Sequence, residues 1–313
     1  MAEQLTMPGS IPLGPQTIKP PSPDGKQPTM GTPNPLEKYF RQPKVYIKLP
    51  SKGNWYPDGA IDMSENDELP VFAMTARDEL VFKTPDALLN GQATVDVIQS
   101  CVPAIKDAWG MPTIDLDTVL VGIRIATYGE KLTLNTKVPN TKPPIEKDFE
   151  LDLRMVLDKF GSANFHNVIN NEGMKITIRP QTYREFTRTA IKTFEEQRLF
   201  QTVNDAGMDD ETKLVKFNES FVKLTGITID VVTHSIMQIQ VDDQIVVDPN
   251  HIAEFIAKAD KQFYKAIVDH VEKQREQFNM EPVKVQATDE ELKAGAPANY
   301  EIPVSFDHSN FFA

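Results

Sequence analysis

Hydrophobic and polar positions along this chain follow two periods, one in each half. Val45-Tyr46-Ile47-Lys48-Leu49 is a short strand-type run, punctuated by Gly53 and by Pro57-Asp58-Gly59. Ala60–Met63 and Leu69–Met74 read as further strands, so a small meander is expected. Thr75 and Thr84 stand where helix N-caps belong. Thr84 precedes Pro85, and proline at a first helical position lacks an N–H where no bond was due. A short helix Pro85–Asn90 stopped at Gly91 and a second, Thr94–Cys101, are predicted. A third is expected to be capped by Asp115, to carry Leu116, Val119, Leu120 and Ile123, and to end at Gly129. Lys131–Leu134 starts a second β region. Asp148–Leu153 alternates charged and apolar residues, as a strand exposed on one face does, with Lys175–Pro180 as its expected partner. A short helix Met155–Phe160 and a loop Asn164–Gly173 lie between them.

From Thr182 the period becomes helical. Phe186, Ala190, Phe194 and Leu199 recur at roughly helical spacing, and Leu214, Phe217, Phe221 and Leu224 form an apolar stripe. Asp209, Asp210 and Glu211 place negative charge at that helix start, where the dipole favours it. Gly226 is expected to interrupt the helical pattern, which then continues through Ile227–Gln240. A short strand Ile245–Val247, a helix Ile252–Ala259 capped by Asn250, a long helix Gln262–Phe278 and closing strands at Val283–Val285 and Tyr300–Val304 follow. The expected class is α+β. Its parts are a Pro-rich arm over residues 1–43, an α+β core domain over 44–180, and a helix-rich part with a terminal hairpin over 181–313.

Composition changes this picture at the start of the chain. Nine of the 24 prolines precede Leu36, and proline fixes φ and removes donors. That segment reads as an extended, disordered arm with polyproline character. It is either a linker or a segment that orders on a partner through Ile11, Leu13 and Ile18. A formal charge of −12 argues against a phosphate-backbone binder, which needs a clustered basic face. The single cysteine, Cys101, excludes an intramolecular disulfide and a thiolate metal cage and fits a reducing cytosol. The proline-rich start lacks the apolar core of a signal peptide, and no apolar run approaches the roughly 18 residues that span a bilayer.

Catalytic chemistry is thinly represented. The chain has no phosphate-cradling glycine loop, no nucleophile elbow and no HExxH. His166, His234, His251, His270 and His308 are scattered, with none three or four residues from another, so no histidine metal site is expected. Asp209–Glu211 and Asp242-Asp243 read as cap and turn residues. Cys101, within a short apolar helix, reads as a buried inert thiol. Arg124 lies inside an apolar helix and must pair if buried; Asp78, Asp86 and Asp96 are the candidate partners.

Several stretches carry a resemblance. Leu49-Pro50-Ser51-Lys52-Gly53, Tyr56-Pro57-Asp58-Gly59, Met74-Thr75-Ala76-Arg77-Asp78-Glu79 and Lys83-Thr84-Pro85-Asp86-Ala87-Leu88-Leu89-Asn90-Gly91 are similar to the base plate protein family of T4-like phages, the baseplate hub assembly proteins. Ile98–Trp109, the helix end Ile125–Glu130 and the terminal Phe306–Phe312 match as well. The resemblance is strong in the first third and thin through the middle helices. It implies a non-enzymatic tail protein that acts in baseplate hub assembly, in the host cytoplasm, with a place in the virion baseplate as a further expectation. Its partners would be other tail and hub proteins, among them the tape-measure protein, with no cofactor, metal, nucleic acid or membrane. One departure stands out. Family members often carry Cys-x-x-Cys pairs around the two β regions, which implies zinc ribbons. Here those places read Val138-Pro139-Asn140-Thr141 and Val285-Gln286-Ala287-Thr288, without a ligand.

Candidate partner-binding residues are Arg77, Asp78, Lys83 and Leu88, in a polar, proline-punctuated segment whose Leu80, Phe82, Leu88 and Leu89 cannot all be hidden. Trp55 and Tyr56 join them as aromatic anchors, with burial in the core as their other expected role. The alternatives are a tail assembly chaperone, for instance for the tape-measure protein, absent from the mature virion, and more remotely a cytosolic enzyme or nucleic-acid-binding module.

Overall fold

A computed structural model describes residues 36–84, 91–205, 210–278 and 282–302. The predicted helix over residues 85–90 lies outside them. The chain divides into two units, Met1–Phe40 and Arg41–Ala313. In the first, the described residues hold a single 3-10 turn, Glu37–Tyr39.

The second unit opens with β1 (Pro43–Lys48), antiparallel to β2 (Glu68–Phe72). The expected third strand at Ala60–Met63 is reduced to one bridge, Ile61 to Ile105. Ala60 is held instead by its carbonyl, which accepts from the N–H groups of Lys106 and Asp107. Helix α1 (Ala76–Phe82) follows, then α2 (Gln92–Cys101) and α3 (Thr113–Tyr128). Gly91, at φ 78°, stands as the N-cap of α2. Ile47, Leu69 and Val71 from the sheet pack with Val95, Ile98, Val119, Leu120 and Ile123 into the first core. Gly122 is where α3 meets the sheet, since a Cβ there would stand 2.8 Å from Ile47 Cγ2.

Strand β3 (Lys131–Lys137) pairs antiparallel with β4 (Glu146–Asp152). The expected partner of β4 was Lys175–Pro180, and that pairing is wrong: a hairpin turn joins β3 to β4 directly. Helix α4 (Leu153–Ser162), capped by Asp152, returns to the first core with Leu153, Val156 and Phe160. The expected loop then holds β5 (Val168–Asn171), which forms a hairpin with β6 (Met174–Ile178) through Glu172 and Gly173 at positive φ.

Helices α5 (Tyr183–Asp205) and α6 (Asp210–Ser235) come next. Gly226 does not interrupt α6, which ends earlier than expected for another reason. Ile236–Val241 is strand β7, paired with β6 on one side and β8 (Gln244–Val246) on the other. A short segment of mixed apolar and polar residues is ambiguous between helix and strand, and here pairing with β6 decided it. Helices α7 (Pro249–Lys258) and α8 (Lys261–Glu276) cover this sheet; Ile252, Ile256, Phe263 and Ile267 meet Ile176, Ile178 and Ile239 in a second core. Their caps are Asp248 and Asp260, not Asn250. Strands β9 (Val283–Gln286) and β10 (Asn299–Ile302) form the closing hairpin, with the short helix α9 (Asp289–Lys293) between them.

Candidate protein-binding surface

The loop after β1 is organised by a carboxylate from α3. Lys52 and Trp55 adopt positive φ, 54° and 65°, a conformation uncommon for non-glycine residues. Asp115 holds the loop in place. It accepts from the Ser51 N–H at 2.8 Å, the Ser51 hydroxyl at 2.5 Å and the Tyr56 hydroxyl at 3.0 Å. It was expected to cap α3, but the helix starts two residues earlier after Pro112, and Asp115 lies fully buried in its first turn. Burial pushes its carboxyl up to about 6, against the lowering effect of the bonds from Ser51 and Tyr56. Burial and the nearby Asp115 likewise raise the Tyr56 hydroxyl. Tyr56 therefore serves the interior. Trp55 is half-buried, with its ring edge-on to Phe165 at 5.3 Å.

Helix α1 starts as its sequence predicts. Thr75 and Asp78 form a reciprocal capping box. Asp78 is buried, and its Oδ2 also accepts from Ser100 Oγ at 3.0 Å and faces Arg41 at 3.5 Å. Arg41 further donates to the Ala73 carbonyl at 2.7 Å and to both oxygens of Ser100. Through Oδ2, Asp78 thus ties α1, α2 and the start of β1 together. The adjacent Cys101 is fully buried, and burial, then Asp78, push its thiol up to about 12, with Arg41 opposing; it is inert at neutral pH. Arg77 and Lys83 are exposed, Leu80 is 70% exposed, and Phe82 is buried. Leu88 lies outside the described residues.

Among the described residues Arg124 makes no ion pair. Asp78 is taken by Arg41, Asp96 accepts from Gln92, and Asp86 lies outside the described residues. The guanidinium sits over the Tyr128 ring at 4.5 Å, while its buried Nε and one terminal nitrogen have no hydrogen-bond partner. Burial lowers its pKa.

Helices α5 and α6 show a surface that the sequence pattern hid. The stripe Leu214, Phe217, Phe221, Leu224 does not face one way. Phe217 and Leu224 are half-buried, whereas Leu214 is 61% and Phe221 68% exposed. Val215, Val222, Phe194 and Leu199 are also at least half exposed. Polar groups occupy part of the seam instead: Ser220 is buried, and Lys223 reaches Glu196 at 3.2 Å, whose side chain is largely covered. A surface helix normally points its apolar stripe inward, so the apolar residues turned outward on these two long helices are a candidate contact surface.

Among the described residues no group of His, Cys, Asp or Glu is placed to hold a metal ion, and no helix is long and apolar enough to cross a membrane. A family model described as T4 bacteriophage base plate protein matches residues 62–294. The chain belongs to the T4 base plate protein family. No curated protein and no solved structure matches it. The matched span of this baseplate protein contains α1 to α3, both outward-turned helices and both segments where zinc ligands were at issue.

Those two segments meet in the fold. Val138 packs with Ala296, Tyr300 and Ile302, and Val285 and Ala287 lie against the same cluster. Thr141 accepts from the Ile145 N–H, and Thr288 caps α9. Lys147 and Glu291 add an ion pair at 2.9 Å. The donor set does not fit zinc, which takes Cys, His or carboxylate ligands. Apolar packing and backbone hydrogen bonds hold the two hairpins.

Proposed function

We propose that this baseplate protein is a non-enzymatic tail component acting in assembly of the baseplate hub through contacts with other tail proteins. The observation that carries this is the outward apolar set of Phe194, Leu199, Leu214, Val215, Phe221 and Val222, inside the span matched by a family of structural proteins. Such a face is stable in water only at a cost, and a partner removes it. The buried carboxylates Asp78 and Asp115 are engaged in holding the fold, so they are poor candidates for acid or base chemistry. A formal charge of −12 fits protein partners better than nucleic acid. Arg77, Lys83 and Leu80 form a second exposed group at α1, and we assign them to the same class of contact. Assembly would take place in the host cytoplasm.

Interrupting the gene tests the role. Hubs should be absent from the mutant infection. They should be restored by the natural chain, but not by a Phe221→Ser, Val222→Ser double variant that keeps its thermal transition. Normal hub formation without the protein would refute it. The same apolar face also supports a chaperone that shields a client, the tape-measure protein among the candidates, and then leaves. Mass spectrometry of purified particles separates the two: the peptide signal persists in tails for a component and is absent for a chaperone.

A further inference from the structure

Helix α6 carries a bare apolar seam. Leu214, Val215, Phe221 and Val222 are 61%, 53%, 68% and 69% exposed. Asn218, also exposed, lies midway between the two pairs: apolar residues stand three and four positions before it and three and four positions after it. At 3.6 residues per turn all four fall within about 60° of Asn218, so the five share one strip. Val215, Asn218 and Val222 line a single open cleft, edged by Glu219 and Lys223. Ile229, seven residues beyond Val222, packs on the second core. The face that this core covers near the C-terminal end of α6 thus runs on uncovered towards its N-terminal end.

That arrangement is its own complement. A two-fold axis through Asn218 sets an antiparallel second α6 against the first. Leu214 then faces Val222, Val215 faces Phe221, and Asn218 faces itself. The amide of Asn218 both donates and accepts, so two copies satisfy each other. One polar residue in an apolar seam fixes register and copy number in paired helices. A different protein has no need of a strip symmetric about a polar centre. Charge permits the contact. The chain carries −12, which opposes self-association in general, but between Leu214 and Val222 the only charges are Lys216 and Glu219, which cancel and lie off the strip at helical spacing. Area permits it too. At about 150–200 Å² for a whole residue, the five expose roughly 500 Å² per copy, most of the roughly 600 Å² per partner at which specific interfaces begin.

We propose that α6 pairs antiparallel with α6 of a second copy of this chain, with Asn218 on the two-fold axis. The contact is isologous, each copy offering the same strip to the other, and so it closes at two copies. It covers Leu214, Val215, Phe221 and Val222 and leaves Phe194 and Leu199 of α5 for other tail proteins. This deepens the contact role proposed above and rests on that reading of the outward apolar set, naming the first occupant of its α6 half.

Sedimentation velocity and cysteine cross-linking of the full chain test this. The chain should shift from monomer to dimer as its concentration rises from about 1 to about 100 μM. Val222→Glu puts a carboxylate into each half of the seam; it should keep the thermal transition and weaken dimerisation about tenfold or more. Mild oxidation reads the register. Cys101 is the only cysteine and is fully buried, so Asn218→Cys introduces a single reactive thiol. Paired helices with axes about 8–10 Å apart bring two such thiols within disulfide range at the axis. Thr225→Cys, seven residues from the axis in each copy, leaves its pair roughly 21 Å apart along the helices. Asn218→Cys should therefore give covalent dimer about tenfold faster than Thr225→Cys, or faster still. A chain that stays monomeric throughout overturns the proposal, and so does equal cross-linking at the two positions, which shows apolar association without register. Hub formation is scored separately. A monomeric chain whose Phe221→Ser, Val222→Ser variant still blocks hubs removes the second copy and leaves the hub role; a registered dimer with normal hubs after gene interruption does the reverse.

Discussion

Asp115→Asn is the sharpest probe of how the loop after β1 is held. The carboxylate is fully buried and accepts three hydrogen bonds, from the Ser51 N–H, the Ser51 hydroxyl and the Tyr56 hydroxyl. Even so, burial raises its pKa from 3.8 to about 6. The folded state therefore binds the proton more tightly than the unfolded chain. The stability this contributes is fully present below about pH 4 and is lost as pH rises through about 6. At about 1.4 kcal/mol per unit, the swing is ~3 kcal/mol. Asparagine keeps an oxygen for the Ser51 N–H and turns its amide towards the two hydroxyls, which can accept. The natural chain should thus gain ~3 kcal/mol on the variant between pH 7.5 and pH 4, from a starting point near pH 7.5 where the variant matches or exceeds it. Urea unfolding followed by tryptophan fluorescence measures this, because Trp109 packs on the first core and Trp55 sits in the loop itself. Subtracting the two curves cancels the other titrating groups, including Asp117, whose carboxyl burial also pushes up to about 6. A difference independent of pH, or one of opposite sign, would refute the account. Asp115→Ala is the contrast. It orphans all three donors at about 1–3 kcal/mol each and should destabilise throughout.

Three further outcomes are expected. Gly122→Ala should lower the unfolding free energy by about 1 kcal/mol, read as a lower urea midpoint: the new methyl would stand 2.8 Å from Ile47 Cγ2, and overpacking outweighs the gain of about 1 kcal/mol in helix propensity; a rise in the midpoint would mean that Ile47 can move aside. Glu185→Gln should cost about 1 kcal/mol at pH 7, discounted for partial exposure. Burial raises this carboxyl, but bonds from Arg179 and the Thr182 N–H win and hold it down to about 2, so its contribution is present above about 4.5 and fades as pH falls through 2, and the gap between variant and natural chain should close in acid. Arg77→Glu should keep a native thermal transition and fail to complement hub assembly, whereas Phe82→Ser, at a side chain 4% exposed, should lose at least ~3 kcal/mol of stability; Arg77→Glu with normal assembly would remove α1 from the contact surface.

The legible parts of this fold were the local ones. Thr75 reads as an N-cap and is one, and the structure adds Asp78 as its reciprocal partner. The alternation in Val45–Leu49 reads as a strand and is one, and Gly129 ends α3 as its place after the last apolar residues indicates. Signals of this kind act within one turn or one pleat, so a short window of residues contains them whole. The candidate surface was only half visible in the same way. Arg77 and Lys83 are exposed as expected, but Asp78 is drawn inside by Arg41, which lies 37 residues away.

Sequence by itself determined the mixed class, the helices around Thr94–Cys101 and Leu116–Thr127, and the resemblance to T4 base plate proteins, which the family match bears out. Tertiary structure decided what depends on partners distant in the chain. It set β6 against β7 and so turned Ile236–Val241 from an apparent helix into a strand. It placed Asp115 under the Ser51–Tyr56 loop, 64 residues from Ser51, and sent Phe221 outward while Phe217 turned inward. The physical reason is common to all three. Periodicity records how often a residue recurs on a face, whereas burial and pairing depend on which other element that face meets, and only the folded chain chooses it.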